Sequence, residues 1–273
     1  MSRPIIVIPA RMQSSRLPGK PLALIAGLPM IVHVWQRAMA ADLGPVVVAC
    51  AEEEIAQAVR AAGGTAVLTA ADLPSGSDRV HAALATYDPD RRHDVVVNLQ
   101  GDLPTLEAHC LRALVAVLND PAVDIATLAA RIHDAAERDN PNVVKVAAAL
   151  DRPDAPPGTA RDTARALYFS RLPIPHDRGG APPDGARSEM GGAASGSSGP
   201  WHYHHIGVYG WRRAALDRFV ALPPGVLELR EGLEQLRALE AGMRIDVRRV
   251  DAVPLGVDTP ADLSRARDLL TPR

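Results

Sequence analysis

Ile5-Ile6-Val7-Ile8-Pro9-Ala10-Arg11-Met12-Gln13-Ser14-Ser15-Arg16-Leu17-Pro18-Gly19-Lys20-Pro21 is the stretch that decides the fold. Four β-branched residues stopped by a proline predict a short buried strand, and the glycine and prolines that follow predict a loop. The pattern then recurs. Met30–Ala41 has helical spacing, and Pro45–Cys50 carries a second apolar run. Glu52–Ala62 reads as a helix with acids in its first turn and Gly63-Gly64 at its end. Ala66–Thr69 reads as a strand, Asp78–Tyr87 as a helix, Asp94–Leu99 as a third strong strand and Leu106–Leu118 as a helix. Strand, loop and helix in alternation predict an α/β fold with a largely parallel sheet. Ligands of such sheets bind beyond the carboxyl ends of the strands. The loops after Pro9 and Leu99 are therefore the places to search.

Beyond Val123 the pattern changes. Asp124–Arg131, Val143–Leu150, Ala166–Ser170, Ile206–Gly210 and Arg244–Val250 read as strands, Glu231–Ala241 and Pro260–Leu270 as helices. Residues 181–200, rich in Gly, Ser, Ala and Pro, read as a flexible surface loop. A chain of 273 residues allows one large domain or two small ones. The expectation is a single domain over 1–273, with 124–210 as an elaboration of it.

Composition excludes several classes. Aromatic residues are too few, at 3%, for single-stranded nucleic acid stacked on side chains, and a net charge of −2 argues against a general polyanion binder. No run approaches the roughly 18 apolar residues of a membrane span. The apolar residues before Pro9 are too short for a signal-peptide core. Cys50 and Cys110 lie in apolar surroundings outside any CxxC pair and read as core thiols. A cytoplasmic protein with no nucleic-acid or membrane partner is expected.

The 30 basic residues comprise 28 arginines and only two lysines, Lys20 and Lys145. Arginine-favouring composition explains this, and so does selective retention of lysine where a compact ammonium is needed. From Met1 to Ala41 there are five basic residues and no acid. Three of them, Arg11, Arg16 and Lys20, lie in the loop after the first strand. Arginines bind phosphate oxygens bidentately and lysine adds a point charge, so the loop suits a triphosphate. A solvated basic loop has the same spacing. The GxxxxGK[ST] pattern is absent.

The run PARMQSSRLPGKPL closely resembles the nucleotide loop of the 3-deoxy-manno-octulosonate cytidylyltransferases, also called CMP-Kdo synthetases. Further motifs follow in order: SGSDR at Ser75–Arg79, NLQGDLP at Asn98–Pro104, NPNVVKV at Asn140–Val146 and ALYFSR at Ala166–Arg171. HIGVYGWR at His205–Arg212, LEQLRAL at Leu233–Leu239 and GVDTPADL at Gly256–Leu263 complete the set. The resemblance implies a Rossmann-like, mostly parallel mixed sheet of the nucleotide-diphospho-sugar transferase kind, with a small dimerisation insert and a homodimer. It implies transfer of CMP from CTP to Kdo with magnesium and release of pyrophosphate, for lipopolysaccharide synthesis. A cytidylyltransferase for another acidic sugar, sialic-acid-like or amino-Kdo, and a non-catalytic nucleotide-binding subunit are the other readings.

Carried over residue by residue, Arg11, Ser14, Arg16, Lys20, Ser75, Gly76 and Gln100 would meet the nucleotide. Asp102 and Asp258 would hold Mg2+, with Arg11 and Lys20 completing the catalytic set. Arg79, Gln100, Arg171, His205, Tyr209, Glu231, Glu234 and Gln235 would line the sugar site. Asp102 follows a buried strand and so reaches the sheet's carboxyl edge. Asp258 by itself reads as a helix-start residue. On a single helix, Glu231 and Gln235 would share a face. Lys145 either faces the sugar carboxylate or pairs with an acid at the core edge. His202, His204 and His205 leave zinc open but lack supporting cysteines or an HExxH. Two places depart from the family: Cys50-Ala51 stands where it usually has Thr-Asp, and Leu103 where it has glutamate. The first removes a carboxylate near the nucleotide, the second an acceptor beside the metal.

Overall fold

The computed structural model describes residues 2–13, 16–150, 162–176 and 202–271. The predicted loop at 181–200 and Ser14 lie outside the described residues. The amino-terminal half runs β1 (Pro4–Ala10), a 3-10 turn (Lys20–Leu22), a hairpin of β2 (Leu24–Ile25) and β3 (Leu28–Pro29), α1 (Met30–Met39), β4 (Val46–Cys50), α2 (Glu53–Ala61), β5 (Thr65–Leu68), α3 (Gly76–Tyr87), β6 (Val95–Asn98) and α4 (Ala108–Val117). The rest runs β7 (Ile125–Arg131), α5 (Ala135–Asp139), β8 (Lys145–Ala148), β9 (Thr163–Ser170), β10 (Tyr203–Arg212), α6 (Arg213–Val220), α7 (Val226–Glu231), α8 (Gln235–Glu240), β11 (Ile245–Val250) and α9 (Pro260–Leu270).

Among the described residues, nine strands form one sheet in the order β5-β4-β1-β6-β10-β7-β11-β9-β8. β1 is apolar on both sides because both sides are covered. Ile6 and Ile8 pack with Ile31, Val34 and Leu111 of α1 and α4, while Ile5 and Val7 pack with Val80 and Leu84 of α3 and Leu216 of α6. Fully burying each such side chain favours folding by roughly 1.5–3 kcal/mol.

The parallel arrangement holds for β5, β4, β1 and β6 and for the pair β7–β11. All other pairings in the sheet are antiparallel, so the sheet is mixed rather than mostly parallel. The cause is β10. It enters antiparallel between β6 and β7 and carries a register shift between Ile206 and Tyr209. Its amino half also meets β8, through the pair His204 and Lys145. The pairings β10–β7, β7–β11, β11–β9, β9–β8 and β8–β10 thus close a ring of five strands. Closure removes the open edge that β8 would otherwise present.

The helix predicted over Glu231–Ala241 begins later than expected. α7 stops at Glu231, Gly232 takes the left-handed conformation at φ 65°, and α8 begins at Gln235. Glycine at that position is the usual helix-ending signal. Glu231 and Gln235 therefore do not share one helical face. Among the described residues, no helix is long and apolar enough to cross a membrane.

Candidate active site

The loop after β1 turns back on itself. The Gly19 N–H donates to the Met12 carbonyl at 3.3 Å, and Gly19 sits at φ 68°, a conformation costly for other residues. The Met12 N–H donates to Glu52 Oε2 at 3.0 Å. The acid expected at position 51 is thus absent, but its neighbour Glu52 holds the loop. The loop closes over a cleft of about 350 Å³ lined by Arg11, Gln13, Arg16, Lys20, Ser75, Gly76, Arg79, Gln100 and Asp102. These residues come from the carboxyl end of β1, the start of α3 and the turn after β6.

Asp102 and Asp258 lie far apart in sequence. The backbone joins them: the Val257 N–H donates to the Asp102 carbonyl at 3.0 Å. Thr259 caps α9 by accepting from the Asp262 N–H, and Asp262 accepts from the Asp258 N–H at 3.2 Å. The two carboxylates then share one cation. Lys20 Nζ donates to Asp102 Oδ2 at 2.8 Å and to Asp258 Oδ1 at 3.0 Å, and Arg16 Nη2 reaches Asp258 Oδ2 at 3.3 Å. Burial works against the Lys20 charge, but Asp102 and Asp258 outweigh it and raise its pKa.

A polar relay leaves the cleft. Gln100 Nε2 donates to Asn98 Oδ1 and Asn98 Nδ2 to Ser77 Oγ, both at 3.4 Å, and Ser77 Oγ donates to Glu234. Burial pushes Glu234 above the usual carboxylate range, although Ser77 and Ser75 donate to it. Tyr209, the register partner of Asn98, has its hydroxyl pKa raised by burial and then by Glu234. Its ring lies 5.6 Å from that of His205, which packs edge-on to Phe169 at 4.8 Å. Burial, with a contribution from His204, pushes His205 down to about 3. It is therefore neutral at pH 7. Thr127 Oγ1 lies 2.9 Å from His205 Nε2 and also bonds the carbonyls of Ile206 and Val208, filling the irregularity in β10.

Gln235 is buried at 5% exposure, and its Nε2 is an unpaired donor among the described residues. Glu231 is engaged elsewhere: it accepts from Ser170 Oγ at 2.8 Å and the Arg171 N–H at 3.1 Å. Its carboxylate ties β9 to α7. The Arg171 guanidinium is held by carbonyls, with Nε 2.8 Å from Glu231 O and Nη1 3.1 Å from Pro141 O.

Contacts place three further side chains. Arg79 points away from the ring, because its position on the first turn of α3 faces β5. Its guanidinium bonds Thr69 Oγ1 at 2.6 Å and the Ala70 carbonyl at 3.0 Å, beside Arg11. It lines the cleft. Leu103 is 9% exposed and joins the core below the cleft, so it anchors the turn that carries Asp102. Lys145 meets neither a sugar-facing surface nor an acid directly; backbone carbonyls surround it. Of the histidines, His204 Nδ1 pairs with Glu137 Oε1 at 2.6 Å. No group of three or more His, Cys, Asp or Glu suited to a metal occurs among the described residues. Sequence reasoning missed Glu52, Ser77, Asn98 and Thr127. A polar Asn98 ending a run of valines was the available signal for one of them.

Residues 5–245 match the cytidylyltransferase family. A 3-deoxy-manno-octulosonate cytidylyltransferase of Paramagnetospirillum magneticum is 57% identical over 98% of this chain and 97% of its own length. One from Rhodospirillum rubrum is also 57% identical, over 98% and 95%. Among solved structures, a CMP:2-keto-3-deoxy-manno-octonic acid synthetase complexed with CTP is 38% identical, covers 98% of each chain and superposes with a TM-score of 0.79. A cytidylyltransferase of Leptospira borgpetersenii, 15% identical over 98% of this chain and 86% of its own, shares the fold at a TM-score of 0.57. At 57% identity over nearly its whole length, the chain belongs to the 3-deoxy-manno-octulosonate cytidylyltransferase family.

Proposed function

We infer that the chain transfers CMP from CTP to the anomeric hydroxyl of 3-deoxy-D-manno-octulosonate. The sugar oxygen forms a bond to the α-phosphorus, the bond to the bridging oxygen breaks, and pyrophosphate leaves while the hydroxyl loses its proton. One arrangement carries the reading: a cationic cleft, with two carboxylates at its mouth, runs by a hydrogen-bonded relay into a second polar region at Glu234 and Tyr209. Arg11, Arg16 and Lys20 hold the triphosphate, Lys20 exchanging its carboxylate partners for phosphate oxygens. Ser75, Gly76 and Gln100 border the nucleoside. Arg171, His205, Tyr209, Glu234 and Gln235 face the sugar, and neutral His205 offers hydrogen bonds without charge. The chemistry needs positioning and charge stabilisation, with no covalent partner.

Asp102 and Asp258 fit a magnesium ion, since both already turn toward one cation, the Lys20 ammonium. Magnesium typically takes one or two protein carboxylates and completes its shell with phosphate oxygens and water. Bound there it would act as a Lewis acid on the α-phosphate. The homodimer is assigned to the outer face of β9 and α7. Leu167 and Leu172, in and just after β9, and Val226 and Leu229 of α7 are 65–72% exposed, and large apolar side chains left in solvent suit burial against a second copy. Leu229→Glu should halve the mass seen in sedimentation; an unchanged mass moves the interface elsewhere.

The function is tested by pyrophosphate release. Release should require CTP, Kdo and magnesium together. Turnover without Kdo, or equal efficiency with UTP, refutes the reading.

A further inference from the structure

The nucleotide and sugar contacts leave the second lysine without a task. Lys145 is fully buried, at 0% exposure. Its ammonium donates to three backbone carbonyls: Asn140 at 2.7 Å, Val143 at 2.8 Å and Arg171 at 2.8 Å. Three N–H donors meet three acceptors, which uses an ammonium completely. Three neutral acceptors make such burial tolerable without cancelling the charge.

Its place in the sheet is equally specific. Lys145 pairs with Ser170 across β8–β9 and with His204 across β8–β10. It thus sits where the five-strand ring closes, between the residues that immediately precede Arg171 and His205. The next link is reciprocal. Lys145 holds the carbonyls of Asn140 and Val143 that bracket a turn, and that turn presents the Pro141 carbonyl to Arg171 Nη1 at 3.1 Å. Lys145 therefore grips Arg171 twice, once through its carbonyl and once through the turn.

We propose that Lys145 is the positioning residue for Arg171: by closing the β8–β9–β10 junction on three carbonyls, it fixes that guanidinium toward the carboxylate of the acidic sugar. The charged groups around Lys145 are Asp139, Arg171 and Glu137. The chain uses arginine at every other basic position except Lys20. A planar guanidinium does not reproduce three converging bonds from one nitrogen, which accounts for lysine here.

The inference rests on the proposed sugar site, so wild-type turnover with CTP and Kdo is established first. Failure at that stage refutes the function. The Lys145 inference is then read as a ratio between variants on whichever acidic sugar the wild type accepts. Lys145→Met should raise the KM for the sugar about tenfold, the scale of a displaced contact, and leave the KM for CTP within about twofold. Lys145→Arg should fail to rescue it. In an Arg171→Ala background, Lys145→Met should add no further rise. A purely structural lysine would move both KM values together, or would add its full effect on top of Arg171→Ala; either result overturns the proposal, as does an unchanged sugar KM. Should Lys145→Met not fold, Lys145→Arg is measured in the same cycle, and the same outcomes decide.

Discussion

Lys20 and Lys145 sit in two halves of one sheet, and each half uses its cation differently. Lys20 stands at an open cleft beside parallel strands and is shared between two carboxylates. Lys145 stands inside an antiparallel ring and is surrounded by carbonyls. The first environment raises the ammonium's pKa because, against burial, two acids hold the charge. The second lowers it because burial dominates and the acids, Asp139 and Glu137, act only at a distance. An ammonium held by carboxylates can exchange them for phosphate oxygens of like charge. One held by three carbonyls has nothing to exchange and serves as a fixed strut. The cleft side is thus built to trade partners and the ring side to keep them.

The sharpest way to break this comparison is to remove one of the shared acids. Asp102→Asn should cut turnover roughly 100- to 1,000-fold, the cost of one lost electrostatic stabiliser, with the melting temperature nearly unchanged. Near-wild-type turnover would end the metal assignment. Lys20→Arg should retain part of the activity, because a guanidinium can bridge two carboxylates; Lys145→Arg should not rescue sugar binding. A milder test addresses the ring. Gly232→Ala forces alanine into the left-handed conformation at φ 65° and should cost about 1–2 kcal/mol of stability by chemical denaturation. Its kinetic effect should fall on the sugar, since Gly232 adjoins Arg171. The smallest effect belongs to neither half. Asp88 caps the far end of α3, and although burial opposes its ionisation, backbone N–H groups of Arg92 and His93 hold its pKa below the usual value. A carboxylate depressed on folding contributes stability above its unfolded pKa and loses it as pH falls through the folded one. Asp88→Asn should therefore lower stability by about 1 kcal/mol at neutral pH, and the difference should shrink below pH 3.8. Both KM values should stay put.

Much of the nucleotide half was legible because its signals are local. α9 begins and ends where Thr259 and Pro260 and the final leucine pair place it, at Pro260–Leu270. β1 was plain from Ile5–Ile8. The sugar half depends on pairings far apart in sequence, and these leave no local trace. Nothing in NPNVVKV tells that Lys145 will meet Arg171, because ring closure sets that contact. The contacts of Arg79 were hidden for a similar reason: its motif names the helix, but only packing decides which neighbour the guanidinium meets. The division at Gly232 was legible and was overridden by the apolar spacing of the residues around it. Leu103 looked like a lost acceptor, yet its burial makes it part of the turn's foundation.

The placement of the two lysines has a consequence for labelling chemistry. Lys145 is inaccessible, and the Lys20 side chain, 15% exposed, lies in the cleft. Of the two lysines, an amine-reactive reagent meeting the native chain therefore has only Lys20 within reach, and that slowly. Acylation followed by mass spectrometry would report occupancy of the cleft directly, and on the proposed function CTP should protect Lys20 from modification. Coupling the protein to a surface through its side-chain amines would, by the same reasoning, inactivate it.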